Sequence, residues 1–399
     1  MLNARHLATL KQLLSLPTAP FAERHVIAAI LRYCRSRTAV KASRDTAGNI
    51  LVHYRSGKRD VSRPICLTAH MDHPGFIVEE RLDKHTIRTT WRGGVKPEYF
   101  VGARVRFYDE TARNGRLRGA GLSGQWVRGK IESIATATLS GIDRVQTADV
   151  ALKPDLRSGT IGMWDFPDPV VRGQRIYARG CDDIAGCAAL LCCLDGLVRR
   201  KIETEAYCLF TRAEEVGFVG AIAACREMTI PDHCLVVSME TSAQLPHAPM
   251  GAGPILRVGD KATTFTPAAT AHVRRVADKL AAADKSFKYQ RRLMDGGTCE
   301  SSVFCEFGYT ATGTCVALGN YHNMDTQRGR VGAEFIDLSD FELMIRWFVE
   351  LCRASDPFDG TDPVLRANFE RLEESHADLL ARSRHGDVTG ARPIRSNLL

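Results

Sequence analysis

No stretch of the chain approaches the roughly 20 consecutive apolar residues that a membrane-spanning helix needs. The opening Met1-Leu2-Asn3-Ala4-Arg5-His6 lacks the long apolar core of a secretory signal and reads as the start of an amphipathic helix. Thirteen cysteines include no Cys-x-x-Cys pair, and their odd number speaks against a complete disulfide framework. Most lie in apolar runs, as Cys66, Cys187, Cys192, Cys193, Cys208 and Cys234 do, where a thiol behaves as a small hydrophobe. The expected compartment is therefore reducing: the cytoplasm. Basic residues come only in short runs such as Arg199-Arg200-Lys201 and Arg291-Arg292, with no basic stripe or interleaved aromatics. That argues against nucleic acid as a partner, and the apolar pattern argues against a membrane. The net charge of +8, from 54 basic and 46 acidic residues, serves solubility.

What is present is an ordinary globular composition, 44% hydrophobic and 25% charged, over 399 residues, a length that favours two domains over one. The pattern is organised around Leu209-Phe210-Thr211-Arg212-Ala213-Glu214-Glu215-Val216-Gly217. Here an apolar run, Ala206 to Phe210, reads as a buried strand and ends in two adjacent carboxylates. Neighbouring glutamates repel, and a solvated acidic turn is the plain explanation when the pair stands alone. Beside a cation, one of them serves as ligand while the other moves protons.

Other strand ends carry the same kind of residue. Pro64 to Ala69 is a short apolar run that delivers His70 and Asp72, two apart and so on one face. The strand from Cys234 to Ser238 runs on into Glu240, and that from Thr310 to Leu318 is followed by Tyr321-His322-Asn323. Asp182-Asp183 stands at a loop-to-helix junction before the apolar helix 188–198, where either could act as N-cap. Strand–helix alternation with polar residues at strand ends indicates a mostly parallel α/β sheet. Between Phe76 and Pro167 the texture changes to short β-like runs (Thr86 to Trp91, Ala103 to Tyr108, Trp126 to Ile131, Ala148 to Leu152) and Gly-rich turns. This reads as a small inserted all-β barrel or sandwich without a catalytic cluster of its own. Helical stripes are expected over 2–15, 22–37, 268–283, 338–352 with Ser339 as cap, and 362–382, followed by a flexible tail from Ser383.

Together His70, Asp182, Glu215, Glu240 and His322 offer two imidazoles and three carboxylates, with Asp72 and Glu214 beside two of them. Such a set suits two borderline divalent cations: zinc first, with cobalt or manganese as alternatives. One shared carboxylate, plus one histidine and one acid per ion, leaves room for a water that a free glutamate deprotonates. That is equipment for hydrolysing an amide.

Four stretches, His70-Met71-Asp72 with Gly75, Asp182-Asp183 with Gly186, Glu214-Glu215-Val216-Gly217 with Gly220-Ala221, and Tyr321-His322, give the chain a resemblance over residues 5–353. It resembles the dinuclear zinc aminopeptidases that include the glutamyl, deblocking and tetrahedron-forming enzymes. The resemblance implies a three-layer αβα fold of zinc-peptidase type, with a PDZ-like barrel inserted at 76–167. The catalytic domain is then 1–75 and 168–355, and 356–399 is a C-terminal helix and tail. It implies that His70, Asp182 and Glu240 hold one ion and Asp182, Glu215 and His322 the other. Asp182 bridges, Asp72 orients His70, and Glu214 is the general base. It further implies single residues removed from the amino end of short peptides, and a homo-oligomer, the dodecamer among its forms. The chain departs from the family pattern at Glu240 (usually Asp), Ile184 (usually Arg), Cys299 (usually Asp) and Asn323 (usually Ser). These departures keep open a dinuclear deacylase of N-acyl amino acids or small amides. A non-catalytic assembly or peptide-binding protein is the reading from a different class, and a lost Glu214 or metal ligand would be its mark.

Overall fold

The computed structural model describes residues 3–58, 61–112, 116–117, 122–139, 141–354 and 363–384. At its centre four strands lie side by side and parallel: β1 (Ile65–His70), β2 (Thr204–Thr211), β3 (Leu235–Ala243) and β4 (Thr310–Gly319), in the order β2-β1-β3-β4. All six residues of β1 are buried, as expected of a strand covered on both faces. Alternate residues of β2 confirm the two-sided burial. Ala206, Cys208 and Phe210 belong to the core formed with helices α1 (Ile184–Arg199) and α2 (Leu338–Arg353), whereas Tyr207 and Leu209 join a second core with Ala221, Ala224 and Phe304.

The expectation of a mostly parallel sheet needs correction, because the eleven-stranded sheet is mixed. Outside the central four, and among the described residues, only Ile255–Asp260 and Gln290–Met294 pair in parallel. Both flanks are antiparallel: Val40–Arg44 with Ile50–Ser56 and then β2 on one side, and Glu334–Asp337, Arg175–Ala178 and Val170–Arg172 beyond β4 on the other. For the outermost pair, Val170–Arg172 with Arg175–Ala178, the reason is loop length. Gly173-Gln174 is too short for a crossover, and a two-residue link closes only a hairpin.

Two local expectations also change. Helix α2 buries the stripe Leu338, Phe341, Ile345, Phe348 and Cys352 as its periodicity requires, but its cap is Asp337 rather than Ser339. The Asp337 carboxylate accepts from the amides of Ser339 (2.8 Å) and Asp340 (3.3 Å). The single helix over 362–382 is two, Pro363–Glu374 and Ala377–Ser383. Between them the Ser375 hydroxyl donates back to the Leu372 carbonyl, competing with the helical bond. The tail beyond residue 384 lies outside the described residues.

The β-like runs after Phe76 close into a six-stranded antiparallel barrel: Gly75–Arg81, Thr86–Arg92, Arg104–Asp109, Gln125–Leu139, Ile142–Ala151 and Ile161–Trp164. Aromatic rings fill it. Phe76 lies 4.6 Å from Trp91 and 5.2 Å from Trp164, and Trp91 lies 4.9 Å from Phe100, centroid to centroid. Gly162 is required there, since a Cβ would come within 2.4 Å of the Phe107 ring.

Candidate metal centre

The candidate residues converge at the carboxyl side of the four parallel strands, where such sheets place their ligands, although Glu240 lies within β3, which runs on to Ala243 and does not stop at Ser238. His70 closes β1 and pairs in register with Thr211, the last residue of β2. The chain then turns through Ala213, in the left-handed region at φ 51°, which brings Glu214 and Glu215 round toward His70. His322 and Asn323, after β4, are also left-handed at φ 51° and 62°. Non-glycine residues held there cost on the order of 1–3 kcal/mol each, and such strain gathers where side-chain aim matters.

The geometry centres on Asp182. Its Oδ1 lies 3.5 Å from His70 Nε2, and its Oδ2 lies 3.7 Å from His322 Nε2. His70 Nε2 also faces Glu214 Oε2 at 3.8 Å and Glu240 Oε2 at 3.9 Å, while His322 Nε2 meets Glu215 Oε2 at 3.0 Å. Two overlapping triplets, His70 with Asp182 and Glu215, and His70 with Glu214 and Glu240, keep all their ligand atoms within 4.8 Å. The five expected ligands thus stand together, and Glu214 stands with them.

Each imidazole is turned to present Nε2. His70 Nδ1 donates to the carbonyl of Asp72 at 3.2 Å, while the Asp72 carboxylate lies 3.6 Å away, beyond a hydrogen bond. That carboxylate instead accepts from the amides of Glu214 (3.0 Å) and Glu215 (3.1 Å) and anchors the acidic turn. His322 Nδ1 donates to the carbonyl of Gly94 at 2.9 Å. Gly94 belongs to the inserted all-β segment, so that segment aims a candidate ligand.

Charge explains why this cluster needs cations. Asp72, Asp182, Asp183, Glu215, Glu240, Glu300 and Glu334 are buried or nearly so, and Glu214 is mostly covered. Facing them are His70, His73, His322 and Arg257. Burial and neighbouring acids push Glu214 well above the usual carboxylate range. Burial raises Glu240 to about 7 despite His70 and Arg257, and raises Glu300 to about 8 and Glu334 to about 7. Burial works against protonation of His322, but Glu215 outweighs it and lifts the ring to about 9. Oxygens of Asp183, Glu215, Glu300 and Glu334 have no hydrogen-bond partner. Protons or divalent ions must offset this excess, and imidazole with carboxylate is a donor set that zinc, cobalt and manganese accept. The residues fit divalent metal ions.

A pocket of about 590 Å³, counting its open mouth, lies over the cluster. Its wall includes Thr241, Arg257, Gly296, Gly297, Cys299 and Tyr321, and Thr241 Oγ1 donates to Asp182 Oδ1 at 2.9 Å. The sequence pattern did not single out His73, Arg257, Glu300 or Glu334. His73 lies one residue past a quoted motif and could have been noticed; Glu334 sits in a four-residue strand with nothing to mark it.

A model of the M42 glutamyl aminopeptidase family matches residues 48–325. A putative aminopeptidase of Acetivibrio thermocellus is 28% identical over 278 residues, 67% of this chain and 77% of its own. The aminopeptidase APDkam598 of Desulfurococcus kamchatkensis superposes with a TM-score of 0.69 at 21% identity, covering 88% of this chain and 94% of its own. The Pyrococcus horikoshii TET1 peptidase, which assembles into a tetrahedron or an octahedral shell, gives 0.67 at 18% identity, with 87% and 99% covered.

Proposed function

The chain belongs to the M42 glutamyl aminopeptidase family and is a peptide-bond hydrolase, and from that premise we propose that it removes the N-terminal residue of short peptides at a dinuclear metal centre. The observation that carries the reading is the split of Asp182, whose two oxygens face different imidazoles. His70, Asp182 and Glu240 would hold one ion, and Asp182, Glu215 and His322 the other. When bound, such ions supply Lewis acidity toward the scissile carbonyl and make water more acidic.

The chain's own residues do the rest. Glu214 is outside both ligand sets, yet its carboxylate lies beside His70. It takes the proton from the attacking water and delivers it to the departing amine. Asp72 holds the turn that aims Glu214, and Gly94 and Asp72 hold the two rings through Nδ1. Arg257 lines the pocket with a guanidinium that matches an acidic substrate side chain in charge.

The same reading includes a three-layer catalytic domain (1–75 and 168–355) carrying a PDZ-like barrel (76–167), a homo-oligomer of dodecamer type, and a cytoplasmic setting. All thirteen cysteines are free, twelve of them buried, which suits the last. Among the described residues no helix is long and apolar enough to cross a membrane. A sedimentation mass of 44.0 kDa at micromolar concentration would refute the assembly.

The deciding test is hydrolysis of aminoacyl-nitroanilides beside their N-acylated counterparts, with bound metal counted. Free-amine cleavage that disappears on stripping the metal supports the proposal. Cleavage confined to acylated substrates moves the activity to a deacylase, and inactivity without bound metal favours a non-catalytic protein.

A further inference from the structure

His73 is not one of the proposed ligands, yet its imidazole is fully buried. Its Nδ1 donates to the carbonyl of Asp182 at 2.7 Å, and its Nε2 meets Oδ1 of Asn323 at 2.9 Å. The Asn323 amide is fixed in this orientation because its Nδ2 donates to the carbonyls of Arg179 (2.8 Å) and Gly332 (3.1 Å). Both edges of the His73 ring therefore lie against oxygens of ligand-bearing loops.

The placement gives this pair its meaning. His73 follows His70 by three residues, Asn323 directly follows His322, and Asp182 is the shared ligand. One ring thus ties together three ligand-bearing loops that the chain brings from 109 and 250 residues away. The opposite side of the Asp182 peptide is held too, because Glu334 Oε2 accepts from the amides of Cys181 (2.6 Å) and Asp182 (3.1 Å). The ring is also gripped from behind: a Cβ on Gly180 would come within 2.5 Å of its Cγ and Cδ2. A residue that merely filled space would need the ring's shape alone. Here both hydrogen bonds end on ligand-bearing loops.

We propose that His73 and Asn323 form a positioning bridge that sets the spacing of His70, Asp182 and His322, and with it the affinity and separation of the two ions. The proposal rests on the metal-dependent reading above. His73 touches no reacting atom and is a positioning residue. Groups that bond a ligating side chain directly typically govern about 10–100-fold in metal affinity, and His73, which acts through the Asp182 backbone and Asn323, belongs at the low end of that range.

The test is titration of chelator-stripped protein with zinc or cobalt against a chromogenic chelator, in wild type, His73→Phe, Asn323→Leu and the double variant. Melting of the stripped forms controls for folding. His73→Phe keeps the ring's bulk and loses both bonds. Each single variant should bind at least one ion about 10-fold more weakly, with a shifted cobalt absorption band. The double variant should lose little more than the worse single, and the stripped proteins should melt close to wild type. Unchanged affinities, or losses that multiply in the double variant, overturn the bridge. Should His73→Phe not fold, Gly180→Ala pushes the ring from behind and is read the same way: weakened binding supports the bridge, wild-type binding refutes it. A wild type that takes up no ion overturns the metal-dependent reading and the bridge with it. A wild type that takes up two ions, with variants of equal affinity, overturns the bridge alone.

Discussion

Stripping the metal should leave a protein that loses stability as the pH rises, opposite to what paired surface carboxylates produce. The groups responsible are those whose folded pKa lies above its unfolded value: Glu240 and Glu334, raised from 4.5 to about 7, Glu300, raised to about 8, and His322, raised from 6.5 to about 9. In this window the folded state binds more protons than the unfolded one, so stability falls with pH. It is fully present below the unfolded pKa and disappears as the pH climbs through the folded one, between roughly pH 4.5 and 9 for this set. Each such proton gives a slope of about 1.4 kcal/mol per pH unit. A single glutamate raised this far accounts for about 3 kcal/mol. Glu240 and Glu300 burden one another, so the sum falls short of additivity and a total of several kcal/mol is expected. Asp182, which burial would raise but His70, His322 and His73 hold low, acts in the other direction only below its ordinary value of 3.8, outside this window.

The assay is thermal melting between pH 6 and 8.5, with chelator and with zinc. With chelator the midpoint should fall by roughly 5 °C, since an unfolding entropy of about 2.1 cal/mol/K per residue over 399 residues gives about 1 °C per kcal/mol. Ions take the place of the protons, so the stabilisation by zinc should be largest at the alkaline end. A chelated midpoint that holds steady or rises with pH would refute the reasoning.

Glu214→Gln should lower kcat by roughly 10²–10⁴-fold while two ions stay bound, checked by steady-state kinetics and metal analysis; equal loss of metal would make Glu214 a ligand instead. Arg257→Met should reduce kcat/KM for glutamyl substrates by more than it does for leucyl ones, and an unchanged ratio on the nitroanilide panel would remove the acidic subsite. Trp164→Ala, in the aromatic centre of the barrel, should cost about 3–5 kcal/mol, read from denaturant unfolding by tryptophan fluorescence. Asp337→Ala removes the α2 cap and should cost about 1 kcal/mol with the ion affinities unchanged.

Much of the site was legible because strand ends announce themselves in one dimension. An apolar run such as Ala206–Phe210 or Thr310–Leu318 stops where its backbone leaves the sheet, and a carboxylate or imidazole just beyond it has few structural uses. The barrel was legible for a related reason, since period-two runs cut by Gly-rich turns cannot build helices. Aromatics at Phe76, Trp91, Phe107 and Trp164 then had to face one another inside it.

Local pattern alone determined the central strands, the insertion of a β segment and the residue types at the strand ends. What only the tertiary structure decided is which distant groups meet. Strand direction at the sheet's edges followed from links as short as Gly173-Gln174. The aim of His322 came from a carbonyl on the inserted segment, and the hold on Asp182 came from Glu334 and from His73, itself bonded to Asn323. These contacts join residues up to 250 positions apart. Hydrogen bonds of that span leave no periodicity in the chain, because they depend on where whole strands and loops come to rest against one another and not on any neighbour in sequence.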